Sequence, residues 1–70
     1  MSFRNGSEVE WDWGKGTATG KIVEVYHRKV TLTLKGSEIT RNASDAEPAY
    51  RIVQDDGDEV LKSGPEIRKA

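Results

Sequence analysis

The stretch that decides the fold is VEWDWGKGTATGKIVEV, residues 9–25. Its first residues alternate between apolar and acidic side chains, which predicts a strand over residues 8–12 with one apolar face and one acidic face. The glycine-rich segment 14–20 provides the φ-tolerant backbone that turns the chain. Residues 17–27 then return as a run rich in β-branched side chains, which favours a long second strand. The stretch therefore predicts two joined strands with one buried side.

The second strand departs from strict alternation. Its apolar residues are Ile22, Val23 and Val25, and two of them are adjacent in sequence. A strand loses its period of two where a bulge or bend moves it from one sheet to the next. We therefore expect a bulge in this strand, with Gly20 as the pivot.

The rest of the chain reads as short strands separated by turn residues. Alternating or β-prone runs predict further strands, and Asp56-Gly57 is a strong hairpin signal between the last two of them. Pro48 ends an irregular polar loop. Phe3 either folds back onto the barrel as an N-terminal plug, which we expect, or frays. The predicted elements are strands at 30–34, 50–54 and 59–62, a short antiparallel extension of a hairpin at 38–41, a loop at 42–48, and a helical turn at 66–69 with Ile67 packed inward.

These elements predict an all-β protein, a small SH3-like barrel of about five antiparallel strands with a short C-terminal helical turn. An OB-fold is the competing architecture. It usually needs a longer chain and a helix between its third and fourth strands, where this sequence has a polar loop ending in proline. We expect the SH3-like barrel, with residues 1–70 forming a single domain.

Composition limits how such a barrel is held together. A chain of 70 residues buries only about 60% of its unfolded surface, so its core is thin. It contains no cysteine and one histidine, which excludes a disulfide framework and argues against a structural metal site. Stability must therefore come from packing of the aromatic and aliphatic side chains.

Charge and hydropathy place the protein among soluble, cytoplasmic ones. The net charge is −1, with seven Lys or Arg against five Asp or Glu in residues 1–42 and four against seven in residues 43–70. A dedicated DNA-binding module normally carries a strongly basic stripe, which this chain lacks. No apolar signal region occupies residues 1–7, and no run approaches the length of a membrane span.

Six short motifs occur in one order along almost the whole chain. They are GSEVEW at 6–11, GKIVEV at 20–25, KG at 35–36, TRNAS at 40–44, PAY at 48–50 and DDG at 55–57. This pattern resembles the hypervirulence-associated Tudor-like domain family. Ser7 stands where the family's opening turn is expected to have Asp. The resemblance implies a Tudor or SH3-like barrel, found mostly in small bacterial proteins and also in fungi, with no settled ligand.

The sequence contains few residue patterns that are typical of a catalytic or metal-binding site. His27 lies in a basic turn, and the chain has neither a second histidine nor a cysteine to complete a nucleophilic site. The acidic hairpin at 55–59 does not have the spacing of a calcium-binding EF-hand loop. The segment 14–17, GKGT, lacks both the spacing and the following helix of a phosphate-binding loop. We therefore predict no enzyme activity, no metal and no cofactor.

The large aromatic residues are the candidates for a binding surface. Tudor-type barrels that read methylated lysine or arginine use several rings as a cage around the cation. Trp11, Trp13, Tyr26 and Tyr50 are the candidates here, but a thin core needs at least two of them. We expect Trp11 and Tyr50 to be buried and Trp13, beside a glycine at the loop edge, to be exposed.

The sequence thus predicts a monomeric, non-enzymatic interaction module. Its predicted binding face comprises Trp13, Lys15, Lys21 and Tyr26, and its ligand is a protein segment or a nucleic acid, since basic side chains and a stacking ring suit either. The alternatives are a small-molecule or nucleotide binder, which requires a concave pocket, and a purely structural accessory protein, which would bury all four large aromatics.

Overall fold

The computed structural model describes residues 3–70, and Met1 and Ser2 lie outside the described residues. Within this range the protein is all-β, as the sequence predicted. Its strands are β1 (Glu8–Trp13), β2 (Gly16–Tyr26), β3 (Val30–Leu34), β4 (Ser37–Arg41), β5 (Ala49–Gln54), β6 (Glu59–Ser63) and β7 (Arg68–Lys69), with a 3-10 turn at Gly64–Glu66.

The strands form two antiparallel sheets. The larger has the order β6-β5-β2-β1-β7, and the smaller is the β3–β4 hairpin. The hairpin lies beside β6, where Nε of Arg41 donates to the carbonyl oxygen of Leu61 at 3.4 Å. The hydrogen-bonded ladder does not close on itself. The arrangement is nevertheless of the SH3-like, Tudor-like class, with the hairpin packed beside the end of the larger sheet.

The β1–β2 hairpin is tighter than the sequence indicated. Its turn comprises Gly14 and Lys15 alone, because Trp13 already pairs with Gly16. The rest of the glycine-rich segment belongs to β2, which starts at Gly16, one residue before the predicted strand. In this register the bulky residues of β1 face small ones, as Val9 pairs with Gly20 and Trp11 with Ala18. Small partners leave room on this face for the indole rings.

The predicted bulge is confirmed in β2. The pairing of β2 with β5 shifts between Ile22 and Glu24, which leaves Val23 exposed. Gly20, however, lies before this shift and remains in the ladder, so it is not the pivot. A Cβ placed on Gly20 would lie 2.5 Å from Cγ2 of Ile52, so β5 approaches the backbone of β2 too closely there for a side chain. The glycine is required by this close approach.

The main buried cluster lies on one face of the larger sheet and comprises Val9, Trp11, Ile22, Tyr50, Ile52 and Ile67. Ala49 and Leu61 are also buried, and by strand alternation they lie on the other face. Phe3 packs edge-on against Tyr50 with 5.7 Å between the ring centroids, and its backbone N–H donates to the Tyr50 hydroxyl at 3.2 Å. The predicted roles of Trp11 and Tyr50 as core residues, and of Phe3 as a plug, are confirmed.

The C-terminal segment differs from its prediction in position. The helical turn is Gly64–Glu66, not 66–69, and the Glu66 carboxylate accepts the backbone N–H of Ser63 at 2.9 Å. Pro65 favours this start because the first turn of a helix needs no donor from it. Ile67 is buried as predicted, and the residues after it form β7 against β1. No helix within residues 3–70 is long and apolar enough to cross a membrane.

Candidate ligand groove

A groove of about 390 Å³ opens on the core face of the sheet, at the end where β1 meets its turn. We call it the tryptophan groove. Two indole rings lie on one side of it and the β5–β6 hairpin on the other. Its lining residues are Trp11, Trp13, Gln54, Asp56, Asp58, Val60 and Lys62.

Trp13 is the exposed ring of this groove. By strand alternation it points to the same face as Val9 and Trp11, but it is 66% exposed whereas Trp11 is 3% exposed. The difference arises because Trp13 is the last residue of β1 and pairs with Gly16, which has no side chain to cover the indole. The predicted exposure of Trp13 is confirmed.

The charges of the groove have both signs. Asp58 accepts a hydrogen bond from Nζ of Lys35 at 2.5 Å, and this contact raises the pKa of the lysine. Nζ of Lys62 lies 6.0 Å from the centroid of the Trp11 ring, within the range of a cation–π contact, and 3.9 Å from Glu66. Asp56 is exposed, and one of its carboxylate oxygens accepts the backbone N–H of Asp58 at 2.9 Å.

The structure separates the four residues of the predicted binding face. Lys15 lies in the turn beside Trp13. Lys21 follows Gly20 and precedes Ile22, both of which face the core, so it points to the opposite, outer face of the sheet. Tyr26 is ten residues beyond Gly16 along β2, about 30 Å away if the strand were straight. Only Trp13 and Lys15 are therefore brought together.

Tyr26 belongs to an ion-pair network on the outer face. Its hydroxyl donates to the Glu24 carboxylate at 2.8 Å, and Arg51 pairs with both Glu24, at 3.6 Å, and Glu59. Burial, followed by the hydrogen bond to Glu24, raises the pKa of Tyr26. The ring is half-buried and its polar end is engaged, which is typical of a structural role for this side chain.

A second ion-pair network joins β7 to β1. The Arg68 guanidinium donates to Glu10 at 2.7 Å and to Asp12 at 2.9 Å. Arg68 lowers the pKa of Asp12, mainly through this hydrogen bond, and Arg51 lowers that of Glu59 in the same way. Both carboxylates therefore ionise more readily in the folded protein than in the unfolded chain.

These shifts predict a loss of stability in acid. A carboxyl group whose folded pKa is depressed stabilises the protein fully above its ordinary value, about 4, and loses this contribution as the pH falls through the folded pKa. We expect the midpoint temperature of unfolding to decrease as the pH is lowered below about 4. This decrease should be smaller in the Glu59→Gln variant. Thermal unfolding followed by circular dichroism between pH 7 and 2 measures it. A midpoint that rises in acid, or a variant with an unchanged acid dependence, would contradict the prediction.

A larger cavity, of about 540 Å³, lies at the other end of the core face. It is lined mainly by apolar groups, among them Phe3, Pro48, Tyr50 and Ile67. Arg68, which also borders it, is already engaged by Glu10 and Asp12. The tryptophan groove is the better candidate because it combines an open aromatic ring with polar groups that can orient a ligand.

The structure offers little for catalysis in its described part. Nδ1 of His27 lies 3.5 Å from Asp45, but the two side chains are 56% and 98% exposed and form an ordinary surface pair. Among residues 3–70, no three His, Cys, Asp or Glu side chains come together as a metal-binding group.

Sequence reasoning missed the residues that line the far wall of the groove. Gln54, Asp56, Asp58, Val60 and Lys62 come from the β5–β6 hairpin, more than 40 residues after Trp13. The sequence did signal the hairpin itself through Asp56-Gly57. The sequence did not reveal that β6 lies across from β1, because β5 and β2 lie between these strands in the sheet.

The antiparallel β-fold with its flanking hairpin is compatible with a small Tudor-like domain. Such domains are generally non-catalytic binding modules. The family model described as hypervirulence associated proteins TUDOR domain matches residues 6–67 of the chain, and the protein belongs to this family. No curated protein and no solved structure shows significant similarity to the chain.

Proposed function

We propose that the protein is a non-enzymatic, monomeric interaction module that binds a protein segment in the tryptophan groove. The observation that carries this proposal is the 66% exposure of Trp13 directly beside the buried Trp11. A large exposed ring at a concave surface is the typical anchor for a partner side chain, since aromatic anchors in pockets dominate binding energy at interfaces. A structural accessory role would have all four large aromatics buried, and Trp13 is not.

The surroundings of Trp13 favour a protein ligand over a nucleic acid. Two carboxylates, Asp56 and Asp58, line the groove and would repel phosphates. Of the basic side chains expected beside the ring, Lys15 is near it and Lys21 is on the outer face. A groove of this volume also falls in the range of small-molecule sites, so a free small ligand is the second candidate.

A peptide selection tests the proposal. We expect random peptides displayed on phage and selected on the immobilised protein to yield sequences that lose binding, by at least about tenfold, to Trp13→Ala. Circular dichroism of the variant confirms that it is folded. Failure to recover any peptide that depends on Trp13 would contradict the proposal.

A titration with oligonucleotides tests whether the ligand is a nucleic acid instead of a protein segment. Single-stranded RNA and DNA added to the ¹⁵N-labelled protein at low salt are expected to leave the Trp13 indole resonance unshifted. Phosphate-driven binding is strongest at low salt, so a shift there that weakens with added salt would favour nucleic acid instead.

A further inference from the structure

We propose that the group recognised in the tryptophan groove is the guanidinium of an unmethylated arginine in the partner segment. This inference rests on the proposed function and names the chemistry of its ligand. Three observations support it: the indole of Trp13 is exposed, the groove is lined by carboxylates as well as a lysine, and the second ring, Trp11, is buried.

The Trp13 ring is available to a cation from outside. Among residues 3–70 the cation–π contact found is Lys62 over Trp11, so the groove already holds one cation against an indole. Trp13 is mostly exposed and lies in the same groove. Indole has the strongest attraction for cations of the aromatic side chains, and arginine is its more frequent partner.

The residues that line the groove carry a small excess of negative charge, although Lys15 lies in the turn beside Trp13. The groove lining carries two carboxylates and one ammonium group. Lys62 is also near Glu66, and Asp58 is paired with Lys35. Asp56 is exposed and, although it lies close enough to Lys35 to help raise the pKa of that lysine, no salt bridge of Asp56 is found among residues 3–70, so its carboxylate is open to a ligand.

The geometry favours guanidinium over a methylated ammonium group. A methylated cation cannot donate many hydrogen bonds and is held by several rings around it. Here Trp11 is 3% exposed and faces Lys62, which leaves a single open ring. A planar guanidinium stacks on one ring while its N–H groups donate to a neighbouring carboxylate, the pairing that Trp13 and Asp56 offer.

Three peptides that differ in one side chain test this. They are acetyl-Gly-Xaa-Gly-amide with arginine, with citrulline, its neutral counterpart of the same shape, and with trimethyl-lysine. The Trp13 indole N–H resonance of the ¹⁵N-labelled protein reports binding. We expect arginine to bind at least about threefold more tightly than either of the others. Citrulline binding as well as arginine, or trimethyl-lysine binding more tightly, would overturn the inference.

A matched pair of variants locates the carboxylate. Asp56→Asn removes the charge but keeps an oxygen that can accept the Asp58 N–H, so the turn is retained. Asp55→Asn is its control, because Asp55 is exposed and lines a different surface with Glu8 and Lys21. We expect the arginine preference to fall at least about threefold in the first and to stay in the second. An unchanged preference in both would overturn the role of Asp56.

The two proposals fail in different ways. If selected peptides depend on Trp13 but the tripeptides show no preference for arginine, the binding function stands and the arginine assignment is wrong. If no selected peptide depends on Trp13 and no tripeptide shifts its indole resonance, the groove is not the binding site and both proposals are wrong.

Discussion

Replacing Trp11 with alanine is expected to lower the free energy of unfolding by about 3–5 kcal/mol. Trp11 is 3% exposed and belongs to the buried cluster with Val9, Tyr50 and Ile67. Truncating a buried Trp costs about 3–5 kcal/mol, through lost burial and the cavity that remains. A chain of this length has a total stability of about 3–10 kcal/mol, so the loss removes much or all of it. Far-UV circular dichroism and urea unfolding measure the change.

Trp13→Ala is the matched control, since it removes the same side chain two positions along the same strand. Trp13 is 66% exposed and pairs with Gly16, so its removal leaves no buried cavity. We expect its free energy of unfolding to change by no more than about 0.5 kcal/mol. Comparable losses of unfolding free energy in the two variants would contradict the assignment of Trp11 as buried and Trp13 as exposed.

Gly20→Ala is expected to destabilise the protein by about 1–3 kcal/mol or more. The new Cβ would lie 2.5 Å from Cγ2 of Ile52 and 2.8 Å from the carbonyl oxygen of Val53. Ile52 is fully buried and Val53 is held in the β5 ladder, so neither can withdraw easily. The β2 and β5 strands must separate locally, and the urea midpoint of the variant should fall.

Gly16→Ala supplies the comparison within the same strand. A Cβ on Gly16 would have no atom within 4 Å, and its backbone is not in the left-handed region. We expect its stability to be unchanged or raised by up to about 1 kcal/mol, because alanine restricts the unfolded chain. If both alanines cost the same, the close approach at Gly20 would not be the cause.

Local pattern was sufficient to predict most of the strands. Alternation placed β1, β3, β5 and β6 within one residue of their observed ends, and the adjacent Ile22 and Val23 marked the bulge. The turn between β1 and β2 was predicted too wide, at 13–16, because glycine signals both turns and close backbone contacts. Pairing with β1 decides between the two, and a single strand does not reveal its partner.

The candidate site was less accessible to such reasoning. Trp13 was identified as the exposed ring because it lies next to the turn, where a strand end loses its cover. Lys21 and Tyr26 were grouped with it by nearness along β2, yet the alternation of the strand turns Lys21 to the outer face. Tyr26 is separated by the length of the strand and is engaged with Glu24.

The sequence by itself determined the all-β class, the burial of Trp11 and Tyr50 and the exposure of Trp13, because each follows from alternation and turn residues within a few positions. The tertiary structure alone decided that Asp56, Asp58 and Lys62 line the groove beside the two indoles. Their approach depends on how β6 lies relative to β1 across two intervening strands. That is a long-range property of the folded sheet, which no local run of residues encodes.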